Sequence, residues 1–244
     1  MTTSIDDLKN AARNQVWAAL TACGAVHDTD VYGRIPNFVD SHLAADRLAA
    51  LPAWQSAGVV KAVPDKAQLP VRARALREGK IVYMAVPKLA KQRPFYLLDP
   101  EHLTVPPEQA ADSHVAADIA PTVDVDSLLP IDLIVCGSVA VNRHGVRLGK
   151  GAGYSDLEVA LLQEAGLIRQ ETVIATTVHS LQVVDGELPE SEHDFSVDLI
   201  VTPDEVINCA PRRRSPGLLW ECLPAEKIAA IPALASRASA PRRS

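Results

Sequence analysis

Residues 131 to 141, IDLIVCGSVAV, form a nearly continuous apolar run rich in β-branched residues. A strand of this kind has no polar face to give to water, so it must be covered on both sides. Two similar runs follow, TVIATTVHS at 172 to 180 and VDLIVTP at 197 to 203, and KIVYMAVPKL at 80 to 89 precedes it. Between the first two runs, LEVALLQEAGL (157 to 167) has helical spacing and ends near Gly166. Strand, glycine loop, helix, strand is the order of a parallel βαβ unit. Right-handed crossovers then place helices on both faces of the sheet. The expected class is α/β with a mostly parallel central sheet.

The N-terminal part reads as helical from about residue 5 to 78. In 5 to 22, Ile5, Leu8, Ala12, Val16 and Leu20 recur at helical spacing, with Ser4 as cap, Asp6 and Asp7 in the first turn and Gly24 as the stop. Residues 41 to 50 predict a second helix capped by Ser41, and 65 to 78 a third; 31 to 38 is a loop punctuated by Gly33 and Pro36. The proline- and alanine-rich stretch 99 to 127 reads as a surface excursion or internal cover. At 244 residues the chain can bury a full core, so the expectation is one domain over 1 to 236 and a disordered tail at 237 to 244.

Composition narrows the function. A net charge of −6 argues against a dedicated nucleic-acid binder but leaves an anionic substrate open, because local fields can oppose the global sign. RRRS at 212 to 215 reads as a solvated basic loop. Cys23, Cys136, Cys209 and Cys222 lack Cys-x-x-Cys spacing and are expected to be buried, reduced thiols. The polar N-terminus has no signal-peptide core and no run is long enough to span a membrane, so the expected location is cytoplasmic.

The stretch RLGKGAGYSDLE (147 to 158) carries the chemistry. Gly149, Gly151 and Gly153 alternate, which lets successive N–H groups point at one anion without a Cβ in the way. The helix expected to begin near Ser155 or Asp156 adds its N-terminal dipole, and Arg147 and Lys150 add full charge. The loop lies beyond the carboxyl end of a strand, where open α/β sheets bind ligands. It matches neither the Walker loop nor the dinucleotide fingerprint. It reads as a phosphate cradle.

NRHGVRLGKGAGYSDLE resembles the signature of the 5-formyltetrahydrofolate cyclo-ligases, Asp-x-x-Gly-x-Arg-Leu-Gly-x-Gly-x-Gly-Tyr-Tyr-Asp-Arg. LQVVDGELPESEHDFSVDLIVTPDEVI is similar to a downstream family segment, and Lys9 with Arg13 to an N-terminal Lys-x-x-x-Arg helix. The resemblance implies a NagB/RpiA/CoA-transferase-like layered fold. It also implies a reaction: ATP activates the formyl oxygen of 5-formyltetrahydrofolate, and 5,10-methenyltetrahydrofolate forms with ADP and phosphate. On that pattern Lys9, Arg13 and Lys150 meet the ATP phosphates with Gly149, Gly151, Ala152 and Gly153, and Arg147 does the same or braces the loop. Tyr154 lies at the substrate or nucleotide edge, Gln182 hydrogen-bonds the substrate, and Asp156 and Asp194 serve Mg2+. Lys150, Arg147 and Tyr154 are the catalytic candidates. His193 is a possible acid or base, or a solvated loop residue.

The chain departs from the signature at Asn142, Ser155 and Leu157, and Gly137-Ser138 replaces a proline-glycine pair. In this it looks more like the branch of methenyltetrahydrofolate synthetase domain-containing proteins. The changes are expected to cluster at the pocket. They leave open a second substrate reading, ATP used on another heterocycle such as a thiamine-like one, and a third, non-catalytic nucleotide or partner binding.

Overall fold

The computed structural model describes residues 4–210 and 213–239. The first helix, α1 (Ile5–Ala22), begins with a capping box in which Ser4 Oγ accepts from the Asp7 N–H and the Asp7 carboxylate accepts from the Ser4 N–H. Gly24 follows it at φ +61°. The buried stripe of α1 is Lys9, Arg13, Val16, Trp17 and Leu20. Ile5 and Leu8, expected inside, are 42% and 49% exposed. The two cations replace them because polar partners, described below, wait on that side.

Helices α2 (Ser41–Ala49) and α3 (Pro52–Gln55) lead into β1 (Val59–Ala62), and α4 (Leu69–Arg77) leads from β1 to β2 (Ile81–Ala85). Asp40, not Ser41, occupies the cap position of α2. The strand β1 falls between the second and third expected helices, where the sequence reading has no strand. Lys61 interrupts its apolar pattern, yet all four residues are buried.

The chain continues through β3 (Phe95–Leu98), α5 (Pro107–Ala110), α6 (Ser113–Ile119) and β4 (Thr122–Val123). The stretch 99 to 127 is thus a cover: its Ala110, Ala111 and Ala116 are fully buried against the sheet-side core. Next come β5 (Ile131–Cys136), β6 (Ala140–Asn142), β7 (Arg147–Leu148), α7 (Tyr154–Glu164), β8 (Ile168–Thr177) and β9 (Val183–Val184). The last elements are β10 (Leu199–Val201), β11 (Val206–Asn208), α8 (Ala225–Ala230) and α9 (Pro232–Ser239). The run 131 to 141 is not one strand. It breaks at Gly137-Ser138 and its second half joins another sheet. Residues 237 to 239 close α9 instead of belonging to a loose tail; the remainder of that tail lies outside the described residues.

The main sheet has the order β11-β10-β8-β5-β1-β2-β3-β4. Its centre, β10 through β2, is parallel, and the edge strands β11, β3 and β4 are antiparallel. Side chains alternate across it with period 2. Val60, Ala62, Leu133 and Val135 join a core with α2 to α6, while Ile134 and Cys136 join α7 and α9 on the opposite face. The expected class, a mostly parallel sheet layered by helices on both faces, is what the chain forms. A second sheet, β7-β6-β9, supports α1 through Val16, Trp17 and Leu20 against Val139, Ala140 and Leu148.

Two connections decide where a ligand can sit. From β1 the chain moves outward to β2; from β5 it moves outward the other way, to β8. β1 and β5 are neighbours, so loops leave their carboxyl ends in opposite directions and open a crevice. Among the described residues no helix is long and apolar enough to cross a membrane.

Candidate functional site

A cavity of about 370 Å³ occupies that crevice. Val63, Pro64 and Asp65 after β1, and Val86, Pro87 and Lys88 after β2, form one wall. The loop from Arg147 to Asp156 forms the facing wall, and Asp6, Lys9 and Arg13 of α1 close the end with His193 and Asp194. Segments distant in sequence thus meet at the switch point.

The glycine loop presents main-chain donors to the cavity. Among the described residues, nothing accepts a hydrogen bond from the main-chain N–H groups of residues 150 to 156. α7 begins at Tyr154, one residue before the sequence reading, behind Gly153 at φ +68°. Arg13 Nε donates to the Gly149 carbonyl at 2.7 Å, which ties α1 to the loop. Under the loop, Arg147 is 4% exposed; it donates to Asp156 Oδ1 at 2.6 Å and lies 4.0 Å over the Phe195 ring. Its Nε is buried without a partner. Burial pulls the Arg147 guanidinium down, but Asp156 and further acids carry the net direction upward, so it stays cationic. Burial lowers Arg13, against the pull of Asp6 and Asp194.

The acids are largely spent on cations. Lys9 Nζ donates to Asp194 Oδ2 at 2.6 Å and to Ser191 Oγ at 2.8 Å. No cluster of three His, Cys, Asp or Glu side chains that could hold an ion unaided occurs among the described residues. A phosphate-bound Mg2+ needs only one or two carboxylates. Asp156 Oδ2 and Asp194 Oδ1 are the oxygens left outside the ion pairs with Arg147 and Lys9. Lys150 is partly exposed, with Nζ 3.8 Å from Asp65 Oδ1. His193 is 57% exposed and its Nε2 is 3.7 Å from Asp194 Oδ1.

The residues expected from the sequence at 9, 13, 147, 149–154, 156 and 194 therefore come together, and Gln182 does not. Gln182 is 1% exposed; its Nε2 donates to the Ser138 carbonyl at 2.7 Å and its Oε1 accepts from the His179 N–H at 2.8 Å. Its amide is consumed in bracing the break between β5 and β6. The departures from the signature also scatter. Ser155 lines the cavity, but Leu157 is in the core and Asn142 holds the β6–β7 turn by accepting from the N–H groups of His144 and Val146. Arg213 and Arg214 are not a solvated loop: they pair with Glu190 and Asp198, while Arg212 is outside the described residues. Cys136 and Cys209 are buried thiols, the latter raised to about 11 by burial, whereas Cys23 and Cys222 are exposed.

Among the wall residues that the sequence reading missed, Asp65, Glu158 and Lys88 carry charge. Asp65 follows β1, where burial raises its carboxyl, with Lys150 opposing the shift and Glu158 adding to it. Glu158 lines the cavity from α7 and forms a buried ion pair with Lys61 of β1. Lys88 stands at φ +58° beside Leu89 at φ +53°. Two adjacent left-handed residues without glycine are strained, and such strain collects at functional sites. Leu89, fully buried, anchors the turn that sets Lys88 on the cavity wall. Only the lone lysine in β1 and the Pro-Lys-Leu turn could have signalled these residues, and neither pattern names a role.

Comparison with known proteins places this arrangement. The model of the 5-formyltetrahydrofolate cyclo-ligase family matches residues 7–203. A methenyltetrahydrofolate synthase domain-containing protein of Homo sapiens is 35% identical over 234 residues, covering 93% of this chain and 61% of its own length. A Danio rerio protein of the same name is 32% identical over 228 residues, covering 91% and 59%. The chain thus spans about three fifths of the length of these curated relatives. A mitochondrial 5-formyltetrahydrofolate cyclo-ligase of Arabidopsis thaliana is 33% identical over 86 residues, 34% of this chain and 31% of that protein. The NMR structure of Aquifex aeolicus 5,10-methenyltetrahydrofolate synthetase shares the fold, with a TM-score of 0.54 at 23% identity over 88% of this chain and all of that one.

Proposed function

The chain belongs to the 5-formyltetrahydrofolate cyclo-ligase family, and from that premise we propose that it is an ATP- and Mg2+-dependent ligase converting 5-formyltetrahydrofolate to 5,10-methenyltetrahydrofolate. The observation that carries this reading is the row of N–H groups from 150 to 156 without an acceptor, lining one cavity with Lys9, Arg13 and Lys150. That donor set suits a phosphate chain, since phosphoryl transfer needs positioning and charge neutralisation more than covalent help. Lys9, Arg13 and Lys150 would join the loop in holding it, with Asp156 Oδ2 and Asp194 Oδ1 as the oxygens offered to Mg2+. When bound, ATP would supply the phosphoryl group that activates the formyl oxygen. Tyr154 would lie along the substrate edge. Arg147 and Lys9 are already paired with Asp156 and Asp194, so the net negative charge of MgATP would fall to Arg13, Lys150 and the loop amides.

A second reading keeps the nucleotide site and changes the heterocycle. It is favoured by Ser155, which lines the cavity where the signature has tyrosine, and by Glu158 beside it. One assay separates the two. ATP hydrolysis is followed with Mg2+, with and without 5-formyltetrahydrofolate, while methenyltetrahydrofolate is read by absorbance. Product coupled to ADP release is the expected outcome; ATP turnover without folate product would transfer the proposal to the second reading.

A further inference from the structure

The family match ends at residue 203, yet a residue well beyond that point touches the glycine loop. α8 sets Lys227 so that its Nζ donates to the Ala152 carbonyl at 3.2 Å and stands 5.5 Å from the centre of the Tyr154 ring. Gly153 leaves room for it: a Cβ there would lie 3.0 Å from Nζ. The arm that carries Lys227 is firmly docked. Ile231 and Leu234 are buried in the α7-side core, and Arg237 donates to Asp126 Oδ1 at 2.6 Å. Gln92 Nε2 donates to Ser236 Oγ at 2.8 Å. Gln92 follows closely on Lys88, so the arm is joined to the segments that form both walls of the cavity.

The contact has a directional consequence. In a trans peptide the carbonyl and the following N–H point opposite ways. Drawing the Ala152 carbonyl toward Lys227 fixes the Gly153 N–H away from it. The Gly153 carbonyl is in turn held by the Leu157 N–H. The last peptides before α7 are thus locked from both sides, one lock being an ammonium from the arm. The same ammonium faces the ring that opens the helix, and an ammonium over an aromatic face restrains the ring further.

We propose that Lys227 is a positioning residue of the glycine loop, fixing the Ala152–Gly153 peptide and the Tyr154 ring for an oligophosphate bound on the loop. This rests on the phosphate reading of the loop given above. The test is calorimetric titration of the full chain with MgATP and, separately, with inorganic tripolyphosphate, for wild type, Lys227→Met and Lys227→Arg. Loss of one charge-assisted bond predicts about tenfold weaker binding of both ligands to Lys227→Met, with Lys227→Arg within about threefold of wild type. Lys227 is only partly buried, so the melting temperature should hardly move. Unchanged affinity in Lys227→Met overturns the positioning role and leaves the phosphate reading standing. Equal weakening of both variants with an equal fall in melting temperature also overturns it, because Lys227 is then only packing for the arm. If wild type binds neither ligand, the phosphate reading fails and takes this inference with it.

Discussion

Gly151 stands at φ +98°, and a Cβ there would lie 3.5 Å from the Arg13 guanidinium carbon. Alanine would graze that group; a β-branched side chain would push Arg13 off the Gly149 carbonyl and bend a backbone it cannot follow. Gly151→Val should therefore weaken ATP binding at least about tenfold by titration while far-UV circular dichroism stays unchanged. Lys150 is a milder case, since its ammonium is partly exposed; Lys150→Ala should weaken ATP binding without lowering the melting temperature. Asp65 gives a pH test. Its carboxyl is raised in the fold, chiefly by burial, so the folded chain holds that proton to higher pH than the unfolded chain does. The ionised form then costs stability above the folded pKa, and the cost fades as pH falls toward the unfolded value of about 3.9. Asp65→Asn should raise the melting temperature at neutral pH, with a gain that shrinks on acidification. A gain independent of pH would mean that Asp65 is not ionised against burial.

At the scale of elements, β1 and α7 are joined through the sheet face by Lys61 and Glu158. Removing one partner strands a buried charge. Lys61→Met should cost about 3–5 kcal/mol in denaturant unfolding, and the double variant Lys61→Met, Glu158→Leu should recover most of it. The same lysine explains why β1 was illegible in the sequence. An apolar run reads as a buried strand, but a run broken by Lys61 does so only once its partner, 97 residues away, is known. β5 was legible for the opposite reason, its alternating Leu133, Ile134 and Val135 being buried on both faces. The split at Gly137-Ser138 was not, because apolarity continues into β6 while the hydrogen bonding moves to another sheet. The place of the glycine loop on the cavity could be read because its pattern is local. Asp65, Lys88 and Lys227 could not, because each acquires its role from a loop brought in by the topology. Arg72 is a further case. It is 1% exposed, lowered to about 10 by burial, and donates to the carbonyls of Val63 and Asp65 and to Ala111. It thus holds the turn that presents Asp65, a role that residue type alone does not disclose.

At the scale of the whole molecule, the cavity draws on α1, the loops after β1 and β2, the glycine loop and the segment at 193–194. A ligand bound there stabilises the folded chain only. MgATP at about a hundred times its dissociation constant should add about 2.7 kcal/mol, roughly 5–10 °C in melting temperature for a chain this size, and the shift should vanish in Gly151→Val. A shift that survives in that variant would place the nucleotide elsewhere. The pair Lys9–Asp194, whose members lie 185 residues apart, has a consequence for how the molecule comes into being. At about 5–20 residues per second, a ribosome delivers Lys9 roughly 10–40 s before Asp194. During that interval the nascent chain carries a cation destined for burial and has no carboxylate with which to bury it. α1 can form early on its own capping box and meet the glycine loop through Arg13, but the pairing of Lys9 waits for nearly the last stretch of the sheet to be made. A polypeptide interrupted before residue 194 would hold almost all of the fold's strands and lack the counter-charge for Lys9, so synthesis itself sets the order in which shape precedes competence.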